Sequence, residues 1–265
     1  MGGHLHGCGI LIVRPAGLGE ALAEKVRQQG GEAILFPAID ILSAARPARL
    51  AMVIARLHTF DWAIFISPTA AREGTRCVRE RRLWPAGVRL AAVGRGTAEA
   101  LAELGFTAVL APQAPGDSEA LAGLPELREI AGQNIVIFRG DGGREHLARV
   151  LAGRGARVEY AECYRRARPE VDMSVLLARW RAGAVQAICA ASSEALANLR
   201  DMAGSADADL LFGTPVFVPH PRIAEVAREM GFTRAIVAIG GDGAIAEALA
   251  AFFATVRAGN MNAQQ

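Results

Sequence analysis

The sequence has a single lysine, Lys25, few aromatic residues (6%) and no long apolar run. A helix that spans a bilayer needs about 20 predominantly apolar residues, so a transmembrane protein is not predicted. The first residues, MGGHLHGCGILIV, lack the charged region and the small-residue cleavage site of a secretory signal peptide. We therefore expect a cytoplasmic protein that makes no contact with a membrane.

Cysteine is also scarce, and its spacing excludes the common cysteine frameworks. Cys8, Cys77, Cys163 and Cys189 lie far apart, without a CxxC or a Cys/His ligand spacing. Neither a disulfide framework nor a metal site is predicted. The net charge is only +2, and no basic stripe with interleaved aromatic residues occurs, so a nucleic-acid partner is not expected either.

Nearly all of the positive charge is carried by arginine. An arginine-rich genome is one explanation, because arginine is also an ordinary surface residue. The other is a ligand with carboxylate or phosphate groups, which suit the planar guanidinium. The composition leaves both explanations open.

Two familiar kinds of site are missing from the sequence. No GxSxG nucleophile elbow and no GxxxxGK[ST] phosphate loop occurs, and the segments GLGEA, GRGTA and GDGGRE do not give GxGxxG. The late segment GGDGAIAEA (240–248) has a GxGxxA spacing, but it follows the last predicted strand rather than the first. A nucleotide-dependent transferase is therefore only a minor alternative.

The sequence contains instead a long internal repeat. GRGTAEALAELGFT (94–107) recurs as HPRIAEVAREMGFT (220–233), and ILIVRPAGLGEALA (10–23) aligns with IVIFRGDGGREHLA (135–148). The two offsets are nearly equal, 126 and 125 residues. A repeat this long indicates a duplicated domain rather than a solenoid.

Both halves show the same order of short apolar strands and helices. The predicted strands are 10–14, 62–67, 89–94 and 107–112, and then 135–139, 186–193, 214–219 and 234–239. An extended segment follows the first helix of each half, at 33–42 and at 157–166. Strands that alternate with helices indicate parallel sheets built from right-handed crossovers. The predicted fold class is α/β, with two similar flavodoxin-like, parallel-sheet domains.

The residues after the predicted strands are the candidate ligand contacts, because ligands of open parallel sheets bind beyond the carboxyl ends of the strands. Hydroxyl groups and arginines occur there, among them Arg14, Ser67, Thr97, Arg139, Ser192, Ser193 and Arg222. Ser67 precedes Pro68 as a typical helix N-cap, and Thr97 and Ser193 are interpreted as caps in the same way. Capping and the binding of a polyanionic ligand both remain possible roles.

Several segments together resemble one family, the uroporphyrinogen-III synthases. They are LIVRPAGLGEALA, FPAIDI, DWAIFISPTAARE, AAVGRGTAEALAELG, GQNIVIFRGDGGREHLARVLAGRGARVEYAECYRR and PHPRIAEVAREMGF, in this order within residues 10–250. The resemblance implies a discontinuous first domain, 1–37 with 169–265, and a second domain, 42–164. It also implies that 38–41 and 165–168 form a two-stranded ladder between the domains.

The resemblance implies an enzyme that cyclises hydroxymethylbilane, a linear tetrapyrrole with eight carboxylates, with loss of water and inversion of ring D. No metal or organic cofactor is implied. The expected partners are the tetrapyrrole and, transiently, hydroxymethylbilane synthase, and the expected state is a monomer. A two-lobed module that binds an anion without turnover is the competing hypothesis.

The resemblance also assigns roles to individual residues. Tyr164, in AECYRR, matches the tyrosine that the family places beside its cleft, where a phenol can donate a hydrogen bond to the departing hydroxyl; packing of the hinge is the alternative. The cleft-facing hydroxyls of the family match Ser67, Thr97 and Ser193, and its basic strand ends match Arg14 and Arg139. Ile66 replaces the threonine common before that serine, and Arg222 lies in a Pro-His-Pro-Arg turn that replaces a glycine-threonine turn.

Overall fold

A computed structural model describes residues 3–113, 116–143 and 145–262. Within these ranges the strands are, in chain order, β1 Gly9–Val13, β2 Glu32–Phe36, β3 Asp40–Ser43, β4 Trp62–Phe65, β5 Arg89–Ala92, β6 Val109–Leu110, β7 Asn134–Gly140, β8 Arg157–Ala167, β9 Ala187–Ala190, β10 Val216–Val218 and β11 Ala235–Val237. The α-helices are α1 Glu20–Gln28, α2 Pro47–Ala55, α3 Pro68–Arg79, α4 Arg95–Glu103, α5 Ser118–Gly123, α6 His146–Gly153, α7 Ser174–Arg181, α8 Ser193–Ala203, α9 Ala208–Gly213, α10 Pro221–Met230 and α11 Gly241–Asn262. In the part of the chain so described, no helix is long and apolar enough to cross a bilayer.

The chain divides into two compact units. The first unit joins the residues up to Asp40 with those from Ala167 onward, and the second unit is Ile41–Arg166. The chain therefore passes from one unit to the other between Asp40 and Ile41, and returns between Arg166 and Ala167. β3 lies beside β8, at the edge of the sheet of the second unit.

Each unit is built on a parallel sheet, as the sequence predicts. In the first unit the strand order is β11-β10-β9-β1-β2, and in the second it is β8-β7-β4-β5-β6 with β3 outside β8. Neighbouring strands from β11 to β2 in the first sheet and from β8 to β6 in the second are parallel, with Ile12 paired with Cys189 and Ile64 with Ile137. When β7 and β8 are aligned with β1 and β2, the two orders are the same, so the repeat in the sequence corresponds to a repeated sheet.

Both faces of the second sheet are buried, because successive residues of its central strands point to opposite sides. Phe65 of β4 and Phe138 of β7 face one layer, where their rings stack at 4.7 Å and 12°. Ile64 and Ile137 face the other layer. A Cβ atom on Gly74 would lie 2.6 Å from the Phe138 ring, so this glycine lets α3 pack directly on the sheet.

The core of the first unit surrounds β1, whose five residues are all buried. Ile10 and Ile12 pack in one cluster with Leu22 of α1 and Leu249 of α11. The apolar spacing of α1 and α11 thus covers one face of this sheet, as expected for amphipathic helices on a parallel sheet.

The repeated sequence GFT forms the same turn in both units. Gly105 and Gly231 follow α4 and α10 with positive φ angles of 90° and 112°, in the region that glycine adopts at low cost. In both turns the next N–H, of Phe106 or of Phe232, donates to a carbonyl five residues earlier at 3.1 Å. This is the Schellman arrangement, which ends a helix by satisfying its last carbonyls.

Three helices were not predicted from the sequence. α2 and α7 lie in corresponding positions, after the chain changes unit and before β4 and β9, and α9 precedes β10. The extended segment predicted over 33–42 contains two strands, β2 and β3, separated by residues 37–39, which begin with Pro37. Proline has no N–H to donate to a neighbouring strand, which explains the break.

Candidate functional site

Four helices begin three residues after a strand ends, at the carboxyl edges of the sheets. Their N-caps are Ser67 and Gly94 in the second unit, and Ser192 and His220 in the first. Each helix N-terminus directs unpaired N–H groups away from the strand end, where they suit an anion. The two units thus present the same kind of turn at corresponding strands.

Ser67 and Ser192 lie 125 residues apart and make the same capping bond. Their Oγ atoms accept hydrogen bonds from Ala70 N at 3.0 Å and Ala195 N at 3.1 Å. The capping role predicted for Ser67 is therefore present, and the hydroxyl of Ser192 has the same role.

The structure corrects the interpretation of Thr97 and Ser193 as caps. Thr97 is the third residue of α4 and only 3% exposed, and Gly94 is the cap. Ser193 is the first residue of α8, after the cap Ser192. A cap needs extended backbone, which Gly94 and Ser192 have, whereas Thr97 and Ser193 are already helical.

Tyr164 lies at the centre of a hydrogen-bonded cluster in the second unit. Its side chain is 1% exposed. Its Oη atom is 3.3 Å from Ser67 Oγ, and a guanidinium nitrogen of Arg166 donates to it, also at 3.3 Å. The guanidinium carbon of Arg166 is 5.8 Å from the centre of the tyrosine ring. The sequence did not single out Arg166, although it lies two residues from Tyr164 on a strand and hence on the same face.

Gly140 leaves space for the tyrosine ring. A Cβ atom at position 140 would lie 2.9 Å from two ring carbons of Tyr164. The register of β7 and β8 shifts between Arg139 and Gly140, and Gly140 is paired with Tyr164. A bulge of this kind re-aims the side chains that follow it.

Arg14 is held by other groups of the first unit. A guanidinium nitrogen lies 2.6 Å from Asp242 Oδ1, and a second one donates to the carbonyl of Leu18 at 3.3 Å. The Nε atom of Arg14 is buried and has no partner among the described residues. Asp242 was not predicted as a partner, because it lies 228 positions further along the chain.

The two other predicted arginines differ from each other in exposure. Arg139 is 3% exposed, and its guanidinium stacks 4.4 Å from the centre of the Tyr160 ring. Its Nε atom donates to the carbonyl of Gly140. Arg222 is exposed in the first turn of α10, where its backbone N–H donates to Nδ1 of the cap His220 at 3.1 Å.

The thiols near these strand ends are neutral. Burial raises the pKa of Cys163, which precedes Tyr164, far above that of a free thiol. Burial also raises the pKa of Cys189, on β9, to about 12. A nucleophilic cysteine needs a lowered pKa, so neither thiol is suited to covalent catalysis.

The site provides hydrogen-bond donors rather than a nucleophile. Ser67 Oγ accepts from Ala70 N and lies 3.3 Å from Tyr164 Oη, and Ser192 Oγ accepts from Ala195 N. Within the described ranges, no group of three His, Cys, Asp or Glu side chains could hold a metal ion. Fold and site together define a duplicated parallel α/β protein whose strand-end turns suit an anionic ligand.

Comparison with known proteins identifies the family. The model of the uroporphyrinogen-III synthase HemD family matches residues 20–241. The uroporphyrinogen-III synthase of Salmonella typhimurium is 36% identical over 225 residues, which cover 84% of this chain and 92% of that protein. The corresponding protein of Escherichia coli is 34% identical, with the same coverage. The chain belongs to the uroporphyrinogen-III synthase family, whose members are enzymes of tetrapyrrole biosynthesis. The resemblance seen in the sequence is confirmed.

Solved structures of the same family share the fold. A mutant uroporphyrinogen III synthase from Thermus thermophilus superposes with a TM-score of 0.59 at 17% identity, covering 91% of this chain and 96% of that one. The Helicobacter pylori protein gives a TM-score of 0.54 at 13% identity, covering 92% and 99%. The competing hypothesis, an anion-binding module without turnover, is not favoured by the family match and the two relatives above.

Proposed function

We propose that this chain converts hydroxymethylbilane to uroporphyrinogen III. Membership of the family over most of the chain carries this proposal. The Tyr164–Ser67 hydrogen bond and the strand-end turns of both units support it. The reaction is a cyclisation with loss of water that serves the haem, sirohaem and corrin pathways.

The chemistry begins when the terminal hydroxyl of the bilane leaves as water and takes the electron pair of the C–O bond. The azafulvene cation that remains on ring A is attacked by the substituted carbon of ring D, which gives a spiro intermediate. Fragmentation and reclosure then invert ring D. Uncatalysed closure gives the uninverted isomer, so the enzyme's task is to select one geometry of a flexible chain.

Backbone N–H groups of the second unit are proposed to bind substrate carboxylates at the starts of α3 and α4. Those of α8 and α10 are proposed to do so in the first unit. A charged hydrogen bond contributes about 1.5–3 kcal/mol. Holding the reacting groups in place can contribute about 7–11 kcal/mol in favourable systems. We include Arg14, Ser67, Thr97, Arg139, Ser192, Ser193 and Arg222 among the candidate contacts. Arg14 and Arg139 lie in bonded networks, so they orient a ligand group rather than supply a free charge.

Tyr164 is the proposed origin of the proton for the departing hydroxyl, given either directly or through a neighbouring hydroxyl group. A positioned general acid typically contributes about 10²–10⁴-fold to a rate. Tyr164→Phe removes the hydroxyl and keeps the buried ring, so we expect turnover to fall while folding is retained.

The test is to supply hydroxymethylbilane, oxidise the products and separate the isomers by chromatography. Enrichment of the III isomer over a control without enzyme is the expected result. A product no richer in the III isomer than that control refutes the proposed function. A monomeric state, transient contact with hydroxymethylbilane synthase and cytoplasmic location remain predictions.

A further inference from the structure

The hydrogen bonds around Tyr164 have a fixed direction. A guanidinium has only donors, so the Tyr164 oxygen must accept the bond from Arg166. The phenol proton is then left for another acceptor. Among the described residues, the other side chain within hydrogen-bonding distance of Oη is that of Ser67, whose hydroxyl oxygen can accept this proton.

Burial prevents solvent water from accepting that proton. Tyr164 is 1% exposed, and a buried hydroxyl hydrogen without an acceptor is costly. The proton therefore points to Ser67 Oγ, which also accepts from Ala70 N. Two acceptor positions of Ser67 are then occupied, and its own hydrogen is the group left to donate outward. Ser67 is partly exposed.

We infer that Ser67, and not Tyr164, presents the proton to the substrate, and that Tyr164 is a positioning residue that acts through Ser67. This inference rests on the proposed function. In this chain of hydrogen bonds, Arg166 donates to Tyr164, Tyr164 donates to Ser67, and Ser67 donates to the leaving hydroxyl of the bilane. Both contacts, the O–H···O contact of Tyr164 with Ser67 and the N–H···O contact of Arg166 with Tyr164, are 3.3 Å and longer than usual hydrogen bonds, as is common for catalytic contacts before substrate binds.

The proton balance of the reaction closes through the same groups. As the C–O bond breaks with its electron pair on the departing water, Ser67 gives up a proton and takes one from Tyr164. The phenolate that remains lies next to the guanidinium of Arg166. A proton returns along the same path when the carbon of ring D that forms the final bond loses its hydrogen, so no other acid or base is consumed.

The duplication supplies a matched control. Ser192 makes the same capping bond in the first unit, but at the 125-residue offset of Ser192 from Ser67 the position equivalent to Tyr164 is Ile39. Ser192 therefore caps its helix without a tyrosine partner. Substitutions of Ser67 and Ser192 both remove a cap, and only the first interrupts the proposed chain of hydrogen bonds.

The deciding experiment is a double-mutant cycle on the rate of III-isomer formation. Ser67→Ala and Tyr164→Phe are each expected to lower kcat by at least about 10-fold. The double variant is expected to be no slower than the slower single variant, because both changes interrupt one path. Losses that multiply in the double variant, or a kcat of Ser67→Ala equal to that of the wild type, overturn the inference.

Three further variants separate the hydroxyl of Ser67 from its role as a cap. Ser67→Thr keeps the hydroxyl and is expected to recover most of kcat. Ser67→Gly keeps most of the stability of the cap, yet it is expected to be as slow as Ser67→Ala. A control double-mutant cycle combines Ser192→Ala with Tyr164→Phe. There the two losses in kcat are expected to multiply. Full activity of Ser67→Gly contradicts the inference.

A spectroscopic measurement tests the hydrogen bonds without activity. The chain has two tyrosines, Tyr160 and Tyr164, so ¹³Cζ-labelled tyrosine gives two resonances, which Tyr164→Phe assigns. Ser67→Ala is expected to shift the Tyr164 resonance and leave that of Tyr160. An unmoved Tyr164 resonance rejects the chain of hydrogen bonds. Wild-type protein that forms no III isomer rejects the proposed function instead, and with it the role of Ser67 toward the bilane.

Discussion

At the scale of single residues, the guanidinium of Arg14 is paired within its own unit. Its contact with Asp242 is 2.6 Å long, and the two side chains are 13% and 22% exposed. A substrate carboxylate that binds Arg14 must therefore share it with Asp242. The aspartate holds the guanidinium in place, and it also repels an anionic ligand.

Substitution of Asp242 tests this competition. Asp242→Asn keeps the shape of the side chain and removes its charge, so we expect KM for the bilane to fall by up to about 10-fold, equivalent to about 1.4 kcal/mol. The free energy of unfolding is expected to fall by about 1 kcal/mol, because a charged hydrogen bond is weakened. Steady-state kinetics and urea unfolding measure the two effects.

Asp207 provides the comparison for Asp242. It binds Arg181 through two bonds of 2.9 and 2.7 Å and precedes α9, away from the carboxyl ends of the strands. Asp207→Asn is expected to lower stability and to leave KM unchanged. A KM of Asp242→Asn equal to or above that of the wild type would show that Arg14 is not a substrate contact.

Gly140 is a second single residue with a testable role, because it leaves the space beside the Tyr164 ring. Gly140→Ala places a methyl group 2.9 Å from two ring carbons, so the ring must move away from Ser67. We expect kcat to fall, with a loss of stability of about 1–3 kcal/mol, as in other overpacked sites. Gly153→Ala is the control, since nothing lies within 4 Å of its Cβ position. Unchanged kcat in Gly140→Ala would show that the position of the ring is not critical.

At the scale of helices and strands, the two GFT turns are predicted to depend on glycine alone. Gly105→Ala and Gly231→Ala put a Cβ atom on residues with φ of 90° and 112°. Each is expected to lower the free energy of unfolding by about 1 kcal/mol or more, because the left-handed region is strained for alanine. Gly213→Ala, at the end of α9 and with open space around it, is expected to have no such cost. Equal urea midpoints in all three variants would contradict this explanation of the repeat.

The sequence was most informative where one residue type has one physical role. Gly105 and Gly231 mark the ends of α4 and α10, and the apolar runs mark β1, β4 and β7, because their pattern is local. α2 and α7 were not found, since each follows a proline-containing segment that reads as extended. β3 is separated from β2 by Pro37, and its place beside β8 depends on pairing far along the chain.

The candidate site was predicted in part for the same reason. Ser67 could be recognised as a cap because Pro68 follows it, whereas the true cap of α4, Gly94, has no side chain to mark it. Asp242 and Ser67 lie far in sequence from their partners Arg14 and Tyr164. Such contacts are set by the order of strands in the sheet, which no local pattern contains.

At the scale of the whole molecule, three buried thiols are expected to lower the free energy of unfolding at alkaline pH. Burial raises the pKa of Cys77 and Cys163, and it raises that of Cys189 from 9.0 to about 12. Above pH 9 the unfolded chain loses thiol protons that the folded chain keeps. The stabilising effect is therefore full below this pH and declines as the pH rises toward the folded pKa, by up to about 1.4 kcal/mol per pH unit for each thiol.

Urea unfolding at a series of pH values between 8 and about 11 measures this decline. Cys189→Ala removes one of the three thiols, so we expect its stability to fall less steeply above pH 9 than that of the wild type. The difference in stability between the two proteins cancels the contributions of all groups that they share. Parallel pH profiles would contradict the assignment of the decline to Cys189.

The chain makes β1 and β2 first, although the neighbour of β1 on its other side is β9. The entire second unit, Ile41–Arg166, is synthesised after β2 and before β9. A ribosome adding about 5–20 residues per second needs roughly 6–25 s for this stretch. During translation the apolar strand GILIV therefore waits for its partner while the inserted unit is completed. A nascent chain arrested before Ala187 contains every strand of the second unit from β4 to β8, but only two strands of the first sheet.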